Sequence, residues 1–194
     1  MSENDPSVHD PSYLNGQVLI AMPGMQDPRF FRSLVYLCAH SEDGAMGLIV
    51  NKPSENLVWG DVFKKLNIKS IADEATRPVH FGGPVEGGRG FVLHSSEYDV
   101  EDATLKIDDD VSMTATLDVL RAIAAGLGPE RAILALGYAG GSPGQLESEI
   151  QMNGWLLCEP DEDLLFGGNE EEKWDRALAK IGVDPALLGA GGHA

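Results

Sequence analysis

Two short apolar runs, residues 34–40 and 45–51, are rich in Val, Ile and Leu, and only Ser41-Glu42-Asp43-Gly44 separates them. Seven residues suit a strand better than a stable helix. Asp-Gly between such runs favours a tight reversal, because glycine reaches positive φ at little steric cost. An antiparallel hairpin is therefore expected early in the chain, and the rest must extend that sheet or cover it. Residues 17–22, 78–81, 89–95, 131–138 and 155–158 also read as strands, and 103–107 as an edge strand inside an acidic stretch.

Helical spacing recurs between these runs. Val62, Phe63 and Leu66 place a helix over 59–67. Met113, Leu117, Leu120, Ala124 and Leu127 recur at one face of a helix, with Ser112 as its expected N-cap and Gly126 as its terminator. A short helix is expected over 145–152. Asn169 is expected to cap another that opens on Glu170-Glu171-Glu172, buries Trp174, Leu178 and Ile181, and ends at Gly182. Asp184-Pro185 opens a last turn. Strands and helices alternate irregularly, so an α+β fold fits better than a regular βαβ array. Residues 1–12 are polar with two prolines and are expected to be disordered, leaving 13–194 as one domain.

Charge narrows the function. The 194 residues carry a formal charge of −17, distributed unevenly. Residues 1–97 hold 8 basic and 12 acidic side chains, and residues 98–194 hold 6 and 19. Such a surface repels phosphate backbones, which argues against non-specific nucleic-acid binding. The run after residue 125 is strand-like, so no helix-turn-helix forms there. No stretch approaches 18 apolar residues, and the N-terminus lacks the basic and apolar regions of a signal peptide. Cys38 and Cys158 each lie in an apolar run, as free thiols of a reducing compartment do. A cytoplasmic protein that does not enter membranes is expected.

Several motifs invite chemistry. Gly140-Gly141-Ser142-Pro143-Gly144 matches the nucleophile elbow G-x-S-x-G, but Pro143 lacks the N–H that an oxyanion hole needs. His193, the only downstream histidine, lies in a glycine-rich tail. A glycine turn entering a helix is the simpler reading. Cys38 and His40, two apart on a strand, could offer two metal ligands, but no CxxC, HxxxH or HExxH accompanies them, so no metal is expected. His80 and His94 read as structural histidines, and Asp108-Asp109-Asp110 as a solvated turn. Neither G-x-G-x-x-G nor GxxxxGK[ST] occurs, so Gly82-Gly83-Pro84 and Gly87-Gly88 read as a tight turn between strands. No cofactor is expected. Arg29 and Arg32, flanking Phe30-Phe31, either mark an anion site or close ion pairs with the chain's own carboxylates.

Met22-Pro23-Gly24-Met25, Asp27-Pro28-Arg29-Phe30, Arg32-Ser33, His40 and Gly44-Ala45-Met46-Gly47-Leu48-Ile49-Val50-Asn51-Lys52-Pro53 follow one another in order. Phe81-Gly82-Gly83-Pro84-Val85, Arg89-Gly90-Phe91-Val92-Leu93-His94, Gly137-Tyr138-Ala139-Gly140, Gly144-Gln145-Leu146-Glu147, Asn153-Gly154-Trp155-Leu156 and the terminal Gly192-His193-Ala194 complete the series. The chain resembles the bacterial YqgE/AlgH family over residues 13–194. One departure stands out: Gly141 occupies a position where that family usually has Trp. The resemblance implies a bent, bifurcated, mostly antiparallel sheet curled into a pseudo-barrel with peripheral helices. Members are labelled transcriptional regulators, and no enzymatic activity is established for them. Arg29, Arg32, Ser33, His40, Asn51, His94, Gln145 and Glu147 match the family motif and, with Gly82 and Gly83, form the candidate functional set.

Two functions are expected from these readings. The preferred one is a non-enzymatic protein that acts through a protein partner and not by direct DNA binding. The alternative is a site for a small anionic ligand, with or without catalysis, around Arg29, Arg32, His40 and Asn51 beside Gly82-Gly83-Pro84.

Overall fold

The computed structural model describes residues 12–25, 27–71 and 73–190. The disorder expected for 1–12 falls outside these residues except at Ser12, and the terminal Gly192-His193-Ala194 lies wholly outside them. The hairpin forms as expected: β2 (Leu34–Ser41) pairs antiparallel with β3 (Gly44–Ile49), and β1 (Val18–Ala21) lines the other edge of β2. Along the chain follow β4 (Pro53–Val58), α1 (Trp59–Lys65), β5 (Pro78–Phe81), β6 (Val85–Ser95), β7 (Thr104–Lys106), β8 (Val111–Thr114), α2 (Leu117–Ala124) and β9 (Ala132–Gly141). Then come α3 (Gln145–Gln151), β10 (Trp155–Cys158), α4 (Glu162–Phe166), α5 (Lys173–Lys180) and α6 (Pro185–Ala190). The strands form one curled half-barrel sheet in the order β10-β1-β2-β3-β9-β6-β8-β7, with β4 joined through β5. Only the β5–β9 pairing is parallel. This is the bent, mostly antiparallel α+β architecture that the resemblance implies.

The sheet divides at β9. One edge of β9 follows β6, while its other edge serves β5 at Ala135 and Leu136 and β3 from Ala139 to Gly141. Gly82 bridges the two branches, its N–H donating to Leu136 O and its carbonyl accepting from Ile49 N. A Cβ at Gly82 would overlap the Gly137 carbonyl, and one at Gly83 would overlap the Tyr138 backbone. The expected turn between adjacent strands is therefore corrected: β5 and β6 are not partners, and Gly82-Gly83-Pro84 carries the chain across β9. Gly87 and Gly88 lie inside β6, where its register against β9 slips.

Other departures have local causes. The helix expected from Met113 begins only at Leu117, and Val111–Thr114 is the strand β8. Ser112 is buried in that strand, and Thr116 stands at the N-cap position. The four-residue spacing of Met113 and Leu117 mimicked a helix, but Thr114 faces inward and bonds both His94 and Thr104 at 2.8 Å. Gly126 does follow α2 in the left-handed conformation, whereas Leu127 is exposed. Residues 53–58, polar at Ser54, Glu55 and Asn56, form β4, the margin of its branch. Asn169 makes no side-chain cap bond, and 170–172 form a 3-10 turn before α5.

Three apolar cores result. One lies beneath α5, around Tyr36, Leu48 and Trp174. Another lies beneath α1 and α2, around Trp59, Phe63 and Leu134. The third lies under α3, around Leu37, Leu146 and Trp155. Helix α5 is fastened by polar bonds as well. Lys173 is fully buried, its Nζ 2.8 Å from Glu170 Oε2 and donating to Val50 O at 3.1 Å, while His80 Nε2 donates to Glu170 Oε1 at 2.6 Å. Burial pushes Lys173 down, more than Glu170 raises it. Burial also pushes Glu170 up, but bonds from His80 and Lys173 outweigh it and hold the carboxyl below its ordinary range.

Two predictions follow from these contacts. Gly83→Ala should lower stability in urea unfolding by about 3 kcal/mol, whereas Gly88→Ala, with open space around its Cβ, should change it by less than about 0.5 kcal/mol. Glu170→Gln leaves the Lys173 ammonium buried without a counter-charge and should cost about 3 kcal/mol at pH 7, part of it recovered in Glu170→Gln/Lys173→Met. Because the folded pKa of Glu170 is depressed, its contribution is present above about pH 4.5 and lost as pH falls below. Urea unfolding of Glu170→Gln should accordingly show a weaker acid dependence than the wild type.

Candidate functional site

The outer face of the first sheet branch is covered by α3, and the cover is incomplete. Between them a slot of about 70 Å³ is lined by Leu19, Leu37, Ala45, Gly140, Gly141, Leu146 and Trp155. It exists partly because Gly141 contributes no side chain: a Cβ there would sit 3.7 Å from the Ala45 Cβ, an ordinary contact. Gly141, the position at which the chain departs from the pattern it resembles, thus lines a cavity.

A hydrogen-bonded chain of side chains frames the slot. Trp155 Nε1 donates to Glu149 Oε2 at 2.6 Å, and Gln145 Nε2 donates to Glu149 Oε1 at 2.7 Å. Gln145 Oε1 accepts from the Ser142 N–H at 3.0 Å and from its hydroxyl at 3.2 Å. Gln145 and Glu149 stand four apart on α3 and so share one helix face. Phe30 meets Trp155 edge-on at 5.6 Å between centroids. Its neighbour Phe31 is 61% exposed, and Met152, which ends α3, is 79% exposed. Ser142 is therefore a rim residue on a glycine turn and has no histidine partner among the described residues; Gly144 supplies the left-handed conformation that enters α3.

His40 stands beside this frame without opening onto it. Its Nε2 donates to Glu147 Oε1, its Nδ1 accepts the Leu14 N–H at 3.0 Å, and Tyr13 packs edge-on against the ring. These bonds assign the neutral Nε2–H tautomer. The ring is buried, whereas the Glu147 side chain is 45% exposed. The paired-ligand reading of Cys38 and His40 is corrected by a bulge in β2 between Leu37 and Ala39. Cys38 points into the core beneath α5, where burial pushes its thiol up to about 12, while His40 meets α3. No group of three or more potential metal ligands occurs among the described residues.

The remaining candidates are dispersed. Arg29 closes on Asp27, with Nη2 to Oδ2 at 2.7 Å, and this hydrogen-bonded pairing lowers the Asp27 pKa and raises that of Arg29. Arg32 lies with its guanidinium 4.6 Å from the centre of the Trp174 ring. Asn51 is a brace: its Oδ1 accepts from Leu34 N and its Nδ2 donates to Arg32 O, both at 2.9 Å. Ser33 is fully buried. His94 donates from Nδ1 to Ser95 O and accepts from the Thr114 hydroxyl, and burial pushes its pKa down. Gly82 and Gly83 serve the crossing of β9. Arg32 and Asn51 lie at one end of the eight-residue β2 and His40 at the other, about 25 Å apart at strand rise. Arg29, Arg32, His40 and Asn51 thus do not converge on one anion site. The structure instead brings together Gln145, Glu147 and His40 with Gly141, Glu149 and Trp155. The signals for this grouping were the glycine at 141 and the four-residue spacing of Gln145 and Glu149.

The sequence matches the AlgH-like family model (DUF179) over residues 18–186. It is 57% identical over 190 residues to a UPF0301 protein of Rhodopseudomonas palustris strain HaA2, spanning 94% of this chain and 87% of that one. With a UPF0301 protein of Nitrobacter hamburgensis it shares 56% over 198 residues, or 98% and 92% of the two chains. The solution structure of AlgH from Pseudomonas aeruginosa superposes with a TM-score of 0.78 at 43% identity, over 96% of this chain and 99% of that one. A crystal structure from Corynebacterium diphtheriae gives a TM-score of 0.70 over 94% and 92% of the two chains, and at 20% identity it bears on the fold alone. With a family model matched across nearly every element from β1 to α6 and relatives identical at more than half of their aligned positions, the chain belongs to the AlgH-like family.

Proposed function

We propose that the chain is a non-enzymatic docking protein whose slot under α3 receives one apolar side chain of a protein partner. The observation that carries this reading is an open apolar slot with a fixed polar frame, beside exposed Phe31 and Met152. A small, desolvated apolar pocket inside a polar rim is the anatomy of an interface hot spot, and methionine adapts to varied partners. Glu149 lines the slot, and the chain carries −17, so the partner segment presents its apolar residue among basic ones. The geometry favours binding over catalysis here. His40 has both ring nitrogens engaged, and the Ser142 hydroxyl donates to the Gln145 amide oxygen. The charge likewise disfavours DNA as the direct ligand.

Capture of partners from cell lysate at low and high salt, with wild type and with Gly141→Trp, tests the reading. A specific protein should be retained at both salts, because an apolar anchor survives screening, and Gly141→Trp should weaken its binding at least tenfold. No specific partner at either salt, or one that Gly141→Trp retains equally, would contradict the proposal.

A further inference from the structure

A second cavity, on the opposite branch of the sheet, is larger and differently built. It lies between α1 and α2 over β6 and β9, has a volume of about 360 Å³, and is walled mainly by leucines: Leu57, Leu66, Leu117, Leu120, Leu134 and Leu136. That volume is in the range of small-molecule sites. Glycine keeps one wall open. Gly88 and Gly90 border the cavity where β6 slips against β9; a Cβ at Gly88 would meet nothing within 4 Å, and one at Gly90 would make ordinary contacts with Leu134 at 3.7 Å and Leu136 at 3.8 Å.

The polar groups of this cavity are unusual for so acidic a chain. Lys65 and Arg89 both line it and both are exposed. Lys65 forms no ion pair among the described residues. Arg89 is engaged elsewhere: its guanidinium lies 5.0 Å from the centre of the Phe91 ring, and Glu86 approaches it within 3.6 Å with both side chains more than half exposed. Asp61, the one acid of the lining, is occupied as an acceptor from Val58 N at 3.0 Å. Thr116, at the head of α2, makes no cap bond and leaves its hydroxyl to the cavity. Apolar walls edged by the unpaired ammonium of Lys65 complement one kind of molecule, an alkyl chain ending in an anion.

We infer that this cavity is a binding site for a small amphipathic carboxylate, its chain among the leucines and its carboxylate on Lys65. This site is independent of the slot under α3. Calorimetric titration with decanoate, 1-decanol, benzoate and acetate, followed by methyl NMR to place the ligand, tests it. Decanoate should bind about tenfold more tightly than decanol, the worth of a charge-assisted contact, and shift the Leu57 and Leu117 methyls. Acetate should not bind, and benzoate should bind more weakly than decanoate. Lys65→Ala, at an exposed position, should reduce decanoate to the level of decanol, and Gly90→Val should weaken both ligands. Equal binding of decanoate and decanol, undiminished decanoate binding by Lys65→Ala, preference for benzoate, or no binding at all would overturn the inference.

Discussion

The close crossing of Gly82-Gly83 over Gly137 and Tyr138 is the contact on which the remaining architecture depends. Only where neither chain carries a Cβ in the way can β5 and β6 flank β9 on opposite edges while β3 claims the rest of one edge. Gly137, at φ +75°, lets β9 change direction between its two sets of partners. The sheet therefore has two branches, each with an outer face that needs its own cover. Helices α1 and α2 cover one and α3 the other, while α5 fills the interior. Both cavities discussed above are places where a single helix layer fails to close over a branch.

The interior is held tightly, and the contrast is informative. Lys173 and Trp174, consecutive on α5, donate to backbone carbonyls of two different segments, Val50 and Ala21. Glu170 then ties His80 of the other branch to the same helix. Polar groups buried here are spent on joining elements. Those around the slot under α3 are arranged as a rim, with one end in solvent and the other fixing Trp155. The difference between these two uses of polar side chains separates scaffold from site in this molecule.

Much of the scaffold was legible in the sequence. The hairpin at Asp43-Gly44, the buried residues Trp174 and Leu178, and the terminators Gly126 and Gly182 all express local chemistry that acts within a few residues. The structure departs where partners are distant in sequence. Met113 and Leu117 carry helical spacing, yet Thr114 is drawn into a strand by His94 and Thr104. The polar residues of β4 form a strand because the other branch supplies β5. The slot was hardest to see: Leu19, Leu37, Gly141 and Trp155 belong to four strands, and the bulge after Leu37 turns His40 toward α3. No periodicity encodes such a meeting. The glycine at 141 and the spacing of Gln145 and Glu149 were its signals in the sequence. The arginines misled because a cation's nearest carboxylate or aromatic ring, Asp27 or Trp174, is decided by the folded loop.

The central claim is that the slot under α3 accepts an apolar side chain from outside. Methyl NMR of the wild-type protein titrated with indole, a tryptophan side chain without its backbone, tests this most directly. The account predicts saturable shifts confined to the Leu19, Leu37, Ala45 and Leu146 methyls, absent when Trp occupies position 141. Indole that leaves these methyls unmoved, or shifts them equally in that variant, would contradict it.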